Sequence, residues 1–575
     1  MRRALPLIAA LACPPLTAHA QTMNRFPAYI GAEAPGALAP FIALDTPAVD
    51  DEGRVVFKGE LEDVAFDTEF GIWREFSPGD LRLLYRSGQA LPGLLTDEFG
   101  SEPGRPSLSG SGHTAFFAEV DSVRIFVFDN QIIWANAPEA GTLRIVVREG
   151  DEAPGTPSGV EFGHATLQDV IDRSPLIDDL GRVSFTALLR GPGVNATNDV
   201  GLWAERGSAP ALLIRNGDPV PGAAGASRTV RLRFPEDRHV VSADGQVLLN
   251  ARDDLDGRTL LLWDESTTPT VVAQSGTTIN TGDRSLDLLS VERGALSPDG
   301  SRVAFGAQFV DAARGVEAGG LFVRDSDGTY SLIFEQGQTL SDPPITFDAL
   351  PDAVLFNRDG DAAFRTRVRI AGVALQSIWT VRDGALALEA TEPTTFPLRR
   401  PQIAGVQLHG FDGLGRLTLS GALGDPPSGR VMMAGSDGLL RDVIQIGRQV
   451  AIDFDASPPL SGIVASIDLG GPDAPVGSAP VTATQQAAAL VTMESGLRTV
   501  WNGFIEELDP CRTDLNGDGD TDLGDFGAFG LQFGRSDCTR IDPCSADFDG
   551  DGDVDLADFG IFGSRFNLFD PNCQP

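Results

Sequence analysis

The sequence predicts a mainly β protein, a β-propeller of about eight (alternatively seven) four-stranded blades, followed by a small α domain. Three observations carry that prediction. A turn-and-strand unit recurs along most of the chain, helical periodicity is nearly absent before residue 505, and an acidic loop of twelve residues occurs twice near the C-terminus. The expected domains are residues 1–20, an export leader, 21–505, the repeat body, and 506–575, the tail. The chain has 575 residues, 42% of them hydrophobic, enough for a sizeable core. Acidic residues outnumber basic ones 81 to 44, for a net charge of −37, so nucleic acid is a poor partner: its phosphates would be repelled.

The N-terminus reads as an export signal. Arg2 and Arg3 give a basic start, residues 4–12 are apolar, and Ala18-His19-Ala20 fits a small-x-small cleavage site, with the cut before Gln21. Pro6, Pro14 and Pro15 argue against a buried helix here, and Ala10 stands where lipid attachment at Cys13 would favour Leu. No other stretch approaches the ~18 apolar residues of a membrane span. The expectation is an exported protein, secreted or held at the cell surface or in the periplasm. The other cysteines, Cys511, Cys538, Cys544 and Cys573, all fall in the tail, and such a cluster in an exported chain reads as two disulfides.

The repeat unit of the body is anchored on a turn. Its copies include Asp50-Asp51-Glu52-Gly53-Arg54-Val55-Val56-Phe57, Asp178-Asp179-Leu180-Gly181-Arg182-Val183-Ser184-Phe185 and Asn357-Arg358-Asp359-Gly360-Asp361-Ala362-Ala363-Phe364. The anchor glycines Gly53, Gly112, Gly181, Gly245, Gly300, Gly360 and Gly415 are 59, 69, 64, 55, 60 and 55 residues apart, and a degenerate eighth copy lies near Gln486 to Leu490. Asp or Asn with Gly supplies the positive φ of a tight hairpin, and the alternation that follows is that of a half-buried strand. Further strands follow at Gly71-Ile72-Trp73, Gly201-Leu202-Trp203, Leu261-Leu262-Trp263, Gly320-Leu321-Phe322 and Ser377-Ile378-Trp379, then at Leu81 to Tyr85 and Ala211 to Ile214. With one strand before the anchor, as at His239-Val240-Val241, each unit has four. Trp73, Trp203, Trp263 and Trp379 are expected at one packing position of the repeat.

Ser297-Pro298-Asp299-Gly300-Ser301-Arg302-Val303-Ala304-Phe305, followed by Leu321 to Asp325, resembles the propeller repeats of TolB-type proteins. Asn357 to Phe364 matches the Asn-x-x-Gly-x-x-Ala-Phe repeat of a group of exported bacterial proteins. The resemblance covers about residues 25–505 and implies a propeller and export, with no catalytic residue set.

The tail holds the one strong chemical motif. Asp514, Asn516, Asp518, Asp520, Asp522 and Asp525 fall at positions 1, 3, 5, 7, 9 and 12 of an EF-hand-like loop, and Asp547, Asp549, Asp551, Asp553, Asp555 and Asp558 repeat them 33 residues on. Calcium is a hard cation that takes six to eight oxygens at roughly 2.3–2.6 Å, and Gly519 and Gly552 at position 6 allow the sharp turn. Position 7 offers a backbone carbonyl, and position 12 is Asp where an ordinary EF-hand has Glu. Two calcium ions are expected. A helix should follow each loop, with Phe526, Phe529 and Phe533, and Phe559, Phe562 and Phe566, as apolar stripes that pack the two halves together. This tail resembles a type I dockerin of the cysteine-bearing kind that ends many exported planctomycete-type proteins. The resemblance implies calcium at the residues named and attachment to a cohesin-like or envelope protein. Loop positions 10 and 11, which help select a cohesin, are Leu523-Gly524 and Leu556-Ala557 in place of small hydroxylated residues. Of the three possible disulfide pairings, Cys511 with Cys538 and Cys544 with Cys573 would each close one repeat.

No catalytic residue is assigned in the body. No Gly-x-Ser-x-Gly elbow, zinc helix or nucleotide fingerprint occurs. His113, His164, His239 and His409 stand alone and read as surface or turn residues, and the pairs Asp178-Asp179 and Asp253-Asp254 fall at expected turns. The leading reading is an exported binding or surface-interaction protein with a glycan or protein ligand on its propeller and a calcium-dependent attachment tail. The alternatives are a propeller enzyme, a hydrolase or lyase of polysaccharide, and a structural component of the envelope.

Overall fold

The computed structural model describes residues 25–503 apart from single residues and short segments, the longer ones being 63–68, 91–97, 122–129, 164–169, 394–401, 454–459 and 470–486. In the tail it describes residues 515, 520–535, 545–546, 554, 559, 562 and 568–569. The chain forms two compact units, Asn24–Ile505 and one that contains Glu506–Pro575. The leader, the four tail cysteines, His164 and the seventh anchor turn, around Gly415, lie outside the described residues.

The first unit is built of antiparallel sheets, eight among the described residues, laid down in chain order. In the first sheet, Phe41–Leu44 and Ala48–Val49 both pair with Val55–Leu61, which pairs with Phe70–Glu75, which pairs with Leu81–Arg86. The first strands of successive sheets touch one another. Ala48–Val49 lies against Ser107–Leu108, that strand against Leu176–Ile177, and the series runs on through His239–Val241, Arg284–Leu296, Ala353–Phe356 and Ala404–Phe411. The last sheet then meets the first, and its outer edge is the N-terminal strand Arg25–Tyr29, paired with Arg498–Gly503 so that Ala28 faces Val500. Radial sheets whose last member is completed by the opposite end of the chain make a β-propeller.

The expected four strands per unit need correcting. The sheets hold four to six. The first strand is often broken in two: Asp45, Thr46 and Pro47 interrupt it in the first sheet, and Pro106, Pro175 and Pro351 mark the corresponding breaks in the second, third and sixth. Proline has no N–H for the ladder, so the strand lifts away there. Added hairpin strands, Thr278–Thr281, Thr339–Ser341 and Gln449–Asp453, extend the fifth, sixth and last sheets.

The anchor turns fold as expected wherever they are described. In the first, Gly53 N donates to Asp50 O at 2.9 Å, and Asp50 Oδ1 accepts from Glu52 N and Arg54 N at 3.0 and 2.9 Å. Gly53 has φ of 76° and Gly181 of 77°, the left-handed region that only glycine enters cheaply. Adjacent turns are then joined by their backbones: Asp51 N to Gly110 O, Asp179 N to Ala243 O, and Ala243 N to Pro298 O, at 3.0, 3.0 and 2.8 Å.

Aromatic side chains fill the space between sheets. Trp73, Trp134, Trp203 and Trp379 sit opposite Phe57, Phe116, Phe185 and Phe364, each just past a register shift. Gly71 and Gly201 lie two residues earlier on the same face, and a Cβ at Gly71 would stand 2.6 Å from the Trp73 ring, so the bare backbone makes room for it. Trp263 does not share this position, contrary to expectation. It pairs with Val247, while Leu261 pairs with Leu249 and fills the tryptophan's place. The register shift in that sheet falls between Leu260 and Leu261, two residues earlier than the sequence pattern suggests.

In the tail, the helix Leu523–Gly530 is capped by Asp522, whose Oδ1 accepts from Gly524 N at 2.6 Å. Asp525 Oδ2 accepts from Asp522 N at 2.8 Å, which completes a capping box. Phe529, Ala546, Val554 and Phe562 form a small core, with Phe529 and Phe562 stacked 5.4 Å apart. Asp520–Thr521 pairs with Leu568–Phe569. Thirty-three residues away in each strand, Gly534 N donates to Val554 O and Val554 N to Arg535 O, at 2.7 and 2.8 Å. Each loop therefore zips to the segment that leaves the other repeat's helix, a two-fold exchange matching the sequence offset.

Candidate functional site

A polar cleft opens where the first strands of the fifth and sixth sheets part. Its volume is about 780 Å³. The break at Asp348 to Asp352 supplies one wall, and the bulged strand Arg284–Leu296 the other. Glu292, Gln308, Gln336, Asp348, Asp352 and Arg367 all face it. Charges in and beside the cleft are paired. Arg258 Nη1 is 3.3 Å from Glu292 Oε2, Arg367 Nε is 3.1 Å from Asp348 Oδ2, and Arg369 Nη2 is 3.0 Å from Asp348 Oδ1. Arg365 holds both oxygens of Asp352, at 2.8 and 2.9 Å. The hydrogen bond from Arg369, supported by Arg367, keeps the Asp348 carboxyl below the ordinary carboxylate range. It therefore stays ionised near neutrality and serves as a fixed acceptor.

Amides complete the wall. Gln336 Nε2 donates to Asp348 O at 2.9 Å, and a Cβ at Gly319 would stand 2.9 Å from both Gln308 Nε2 and Gln336 Oε1. A second cleft of about 850 Å³, lined by Thr281, Arg284, Tyr330 and Glu335, also borders Gln336. These surfaces offer hydrogen-bond donors and acceptors of both signs, suited to holding a polar ligand.

Of the predicted calcium ligands, the structure describes Asp520, Asp522 and Asp525; Asp514, Asn516, Asp518, Asp547, Asp549, Asp551, Asp553, Asp555 and Asp558 lie outside the described residues. Among the described residues no group of three or more His, Cys, Asp or Glu side chains comes together to hold a metal. Asp520 lies in the short strand, Asp522 caps the helix, and Asp525, wholly buried, turns its carboxylate back onto the loop at Asp522 N. All of these donors are hard oxygens, the set calcium takes.

The acidic pairs close turns. Asp178 Oδ1 accepts from Leu180 N and Arg182 N at 2.9 and 2.8 Å, and Asp253 Oδ1 from Leu255 N and Gly257 N at 2.9 and 2.8 Å. The histidines depart from expectation in two cases: His409 lies half-buried within the strand Ala404–Phe411, and His239 is only 5% exposed, with Nε2 2.8 Å from Ser184 Oγ, because its strand forms the ring's inner layer. His113 Nδ1 lies 2.9 Å from Ser111 Oγ, and His409 Nε2 2.6 Å from Ser420 Oγ. Burial pushes His239 and His409 down to about 4, with Arg365 adding to the effect at His409. Among the described residues no carboxylate bonds the second nitrogen of any of these rings, so none completes a catalytic triad.

The cleft was missed by sequence reading because its walls come from separate repeats, and no local pattern marks them. No helix among the described residues is long and apolar enough to cross a membrane.

A family described as "Family of unknown function (DUF7453)" matches residues 20–173 and 177–422. No curated protein matches the chain. Among solved structures, the chain is similar to dipeptidyl peptidase 4 of Porphyromonas gingivalis (10% identity, TM-score 0.39, 80% of this chain and 59% of that one). It is also similar to prolyl oligopeptidase B from Galerina marginata (9%, 0.35, 79% and 56%) and to the β-propeller domain of the Trilobed protease from Pyrococcus furiosus (10%, 0.30, 59% and 95%). It spans less than two thirds of the length of the first two. The propeller assignment rests on strand order and ring closure.

Proposed function

The chain belongs to the DUF7453 family, whose function is unknown, and we propose that it is an exported binding protein. In this reading the eight sheets are the blades of one propeller, and the cleft between the fifth and sixth holds a polar ligand, a glycan or a peptide. The observation that carries it is the cleft itself: paired guanidiniums and carboxylates, with the Gln308 and Gln336 amides, gathered where the first strands of two sheets part. The leader ends before Gln21, and the tail attaches the molecule to a cohesin-like or envelope partner. Asp514, Asn516, Asp518, Asp522, Asp525 and the carbonyl of Asp520 would hold one calcium, and Asp547, Asp549, Asp551, Asp555, Asp558 and the carbonyl of Asp553 a second. The ions would tie each loop closed against the mutual repulsion of its carboxylates.

A panel of soluble oligosaccharides and peptides, titrated against the intact protein and against Asp348→Ala and Gln308→Ala, tests the cleft. Saturable binding weakened at least tenfold by either substitution is expected. Binding that both variants retain unchanged would move recognition elsewhere.

A further inference from the structure

The first and third sheets repeat one arrangement of charged side chains at the junction with the sheet that follows. In the first, Arg54 Nε bonds Asp50 Oδ2 at 2.6 Å, and its Nη2 reaches Ser111 O at 3.2 Å. Glu75, wholly buried, takes Arg25 at 2.7 Å and Val55 N at 3.1 Å. In the third, Arg182 Nε bonds Asp178 Oδ2 at 2.7 Å, and its Nη2 reaches Asp244 O. Glu205 takes Arg144 at 2.7 Å and Val183 N at 2.8 Å. These buried carboxylates thus have their guanidiniums.

One arginine at each junction has no such partner. Arg74 is 0% exposed. Its Nη1 donates to Asn136 Oδ1 at 2.9 Å, while Nε and Nη2 have no hydrogen-bond partner. Arg206 lies at the other junction. Its Nη1 donates to Gly245 O at 3.3 Å, and its Nε and Nη2, also shielded from solvent, again have none. The same two atoms are left over in both cases. Nε and Nη2 share one edge of the guanidinium, and their N–H bonds run side by side, the geometry that grips a single acceptor with two donors. Burial, then the neighbouring Arg54 charge, lowers the Arg74 pKa to about 10. A buried cation with two unmet donors beside a like charge is costly, and one negative acceptor answers the donors and the charge together.

We propose that the Nε/Nη2 edges of Arg74 and Arg206 each hold a small inorganic anion, of which chloride is the simplest. Size is limited by enclosure: Arg74 has no exposure, and the Nε and Nη2 atoms of both arginines are shielded from solvent, which favours a small ion. The net charge of −37 does not forbid an anion there: at ~0.15 M salt charges beyond about 8 Å are screened, and of the nearer carboxylates Asp50 and Glu52 are paired with Arg54, and Asp178 and Glu265 with Arg182. The anion would cross-brace successive sheets, with Arg74 reaching Asn136 of the second sheet and Arg206 reaching Gly245 of the fourth.

Thermal unfolding of the intact protein in sodium chloride and in sodium gluconate, at matched ionic strength, tests this. A midpoint that climbs saturably with chloride is expected, with a smaller climb in Arg74→Gln and none in Arg74→Gln/Arg206→Gln. Equal midpoints of the wild type in the two salts would overturn the proposal. Should the variants fail to fold, crystals of the wild type soaked in bromide give a second readout. Anomalous density within hydrogen-bond reach of Arg74 Nε and Nη2 supports the site, and its absence there refutes it.

Discussion

Protonation of His239 is a perturbation whose size can be worked from the structure. The imidazole lies in the strand His239–Val241, opposite Leu249, 5% exposed, and meets Ser184 Oγ of the preceding sheet at 2.8 Å. Burial lowers its pKa from the ordinary 6.5 to about 4. As the pH falls, the unfolded chain takes up this proton first, so stability is full above 6.5, drains between 6.5 and about 4, and is lost below. At ~1.4 kcal/mol per pH unit, that gap is worth about 3 kcal/mol. Urea unfolding of wild type and His239→Gln, from pH 7.5 down to 4.5, reads it. The difference between the two proteins is the quantity to follow, because carboxylates such as Asp50 and Asp178, both raised by burial, titrate in each. The wild type should lose 2 to 3 kcal/mol more than the variant over this range, on the order of the linkage value. Parallel curves, or an NMR titration that puts His239 near 6.5, would refute the reasoning.

Trp203→Ala removes a ring with no exposure, packed at 4.9 Å on Phe162 and 6.0 Å on Phe185, and should cost about 3–5 kcal/mol by urea unfolding; a loss under ~1 kcal/mol would contradict its place in the core. Ala28→Asp puts a carboxylate on the closing strand at a site 3% exposed, and should speed hydrogen exchange in Arg498–Gly503 well before the middle sheets respond; unchanged exchange there would contradict closure by that strand. Gly181→Ala sets a side chain at φ of 77° and 2.6 Å from the His113 ring, and should lower stability by more than ~1 kcal/mol, read as a shift of the unfolding midpoint.

What could be read in the sequence is what local chemistry dictates. The anchor turns announce themselves because an Asp, Asn or Ser oxygen must meet the next backbone N–H groups and a glycine must take positive φ. Trp73, Trp203 and Trp379 were legible because a small residue two positions earlier makes room for the ring. Trp263 misled, since the bulge that marks the position falls before Leu261, and Trp263 stands two residues further along the same face. Trp134 occupies the same position and was overlooked, with Ile132 standing where Gly71 does. The closing strand was invisible because Ala28 and Val500 meet across nearly the whole body. The cleft was invisible for a similar reason: Glu292 and Asp348 belong to different repeats and share only a boundary between sheets.

The central claim is a binding propeller attached through calcium, and retention of the intact protein tests it most directly. The wild type and an Asp514→Ala/Asp547→Ala variant are passed over envelope and secretome fractions of the source organism, in calcium and in chelator. The account predicts that the wild type is held in calcium and released by chelator, while the variant is held in neither. Equal retention of both proteins in both buffers would contradict calcium-dependent attachment and leave recognition to the propeller alone.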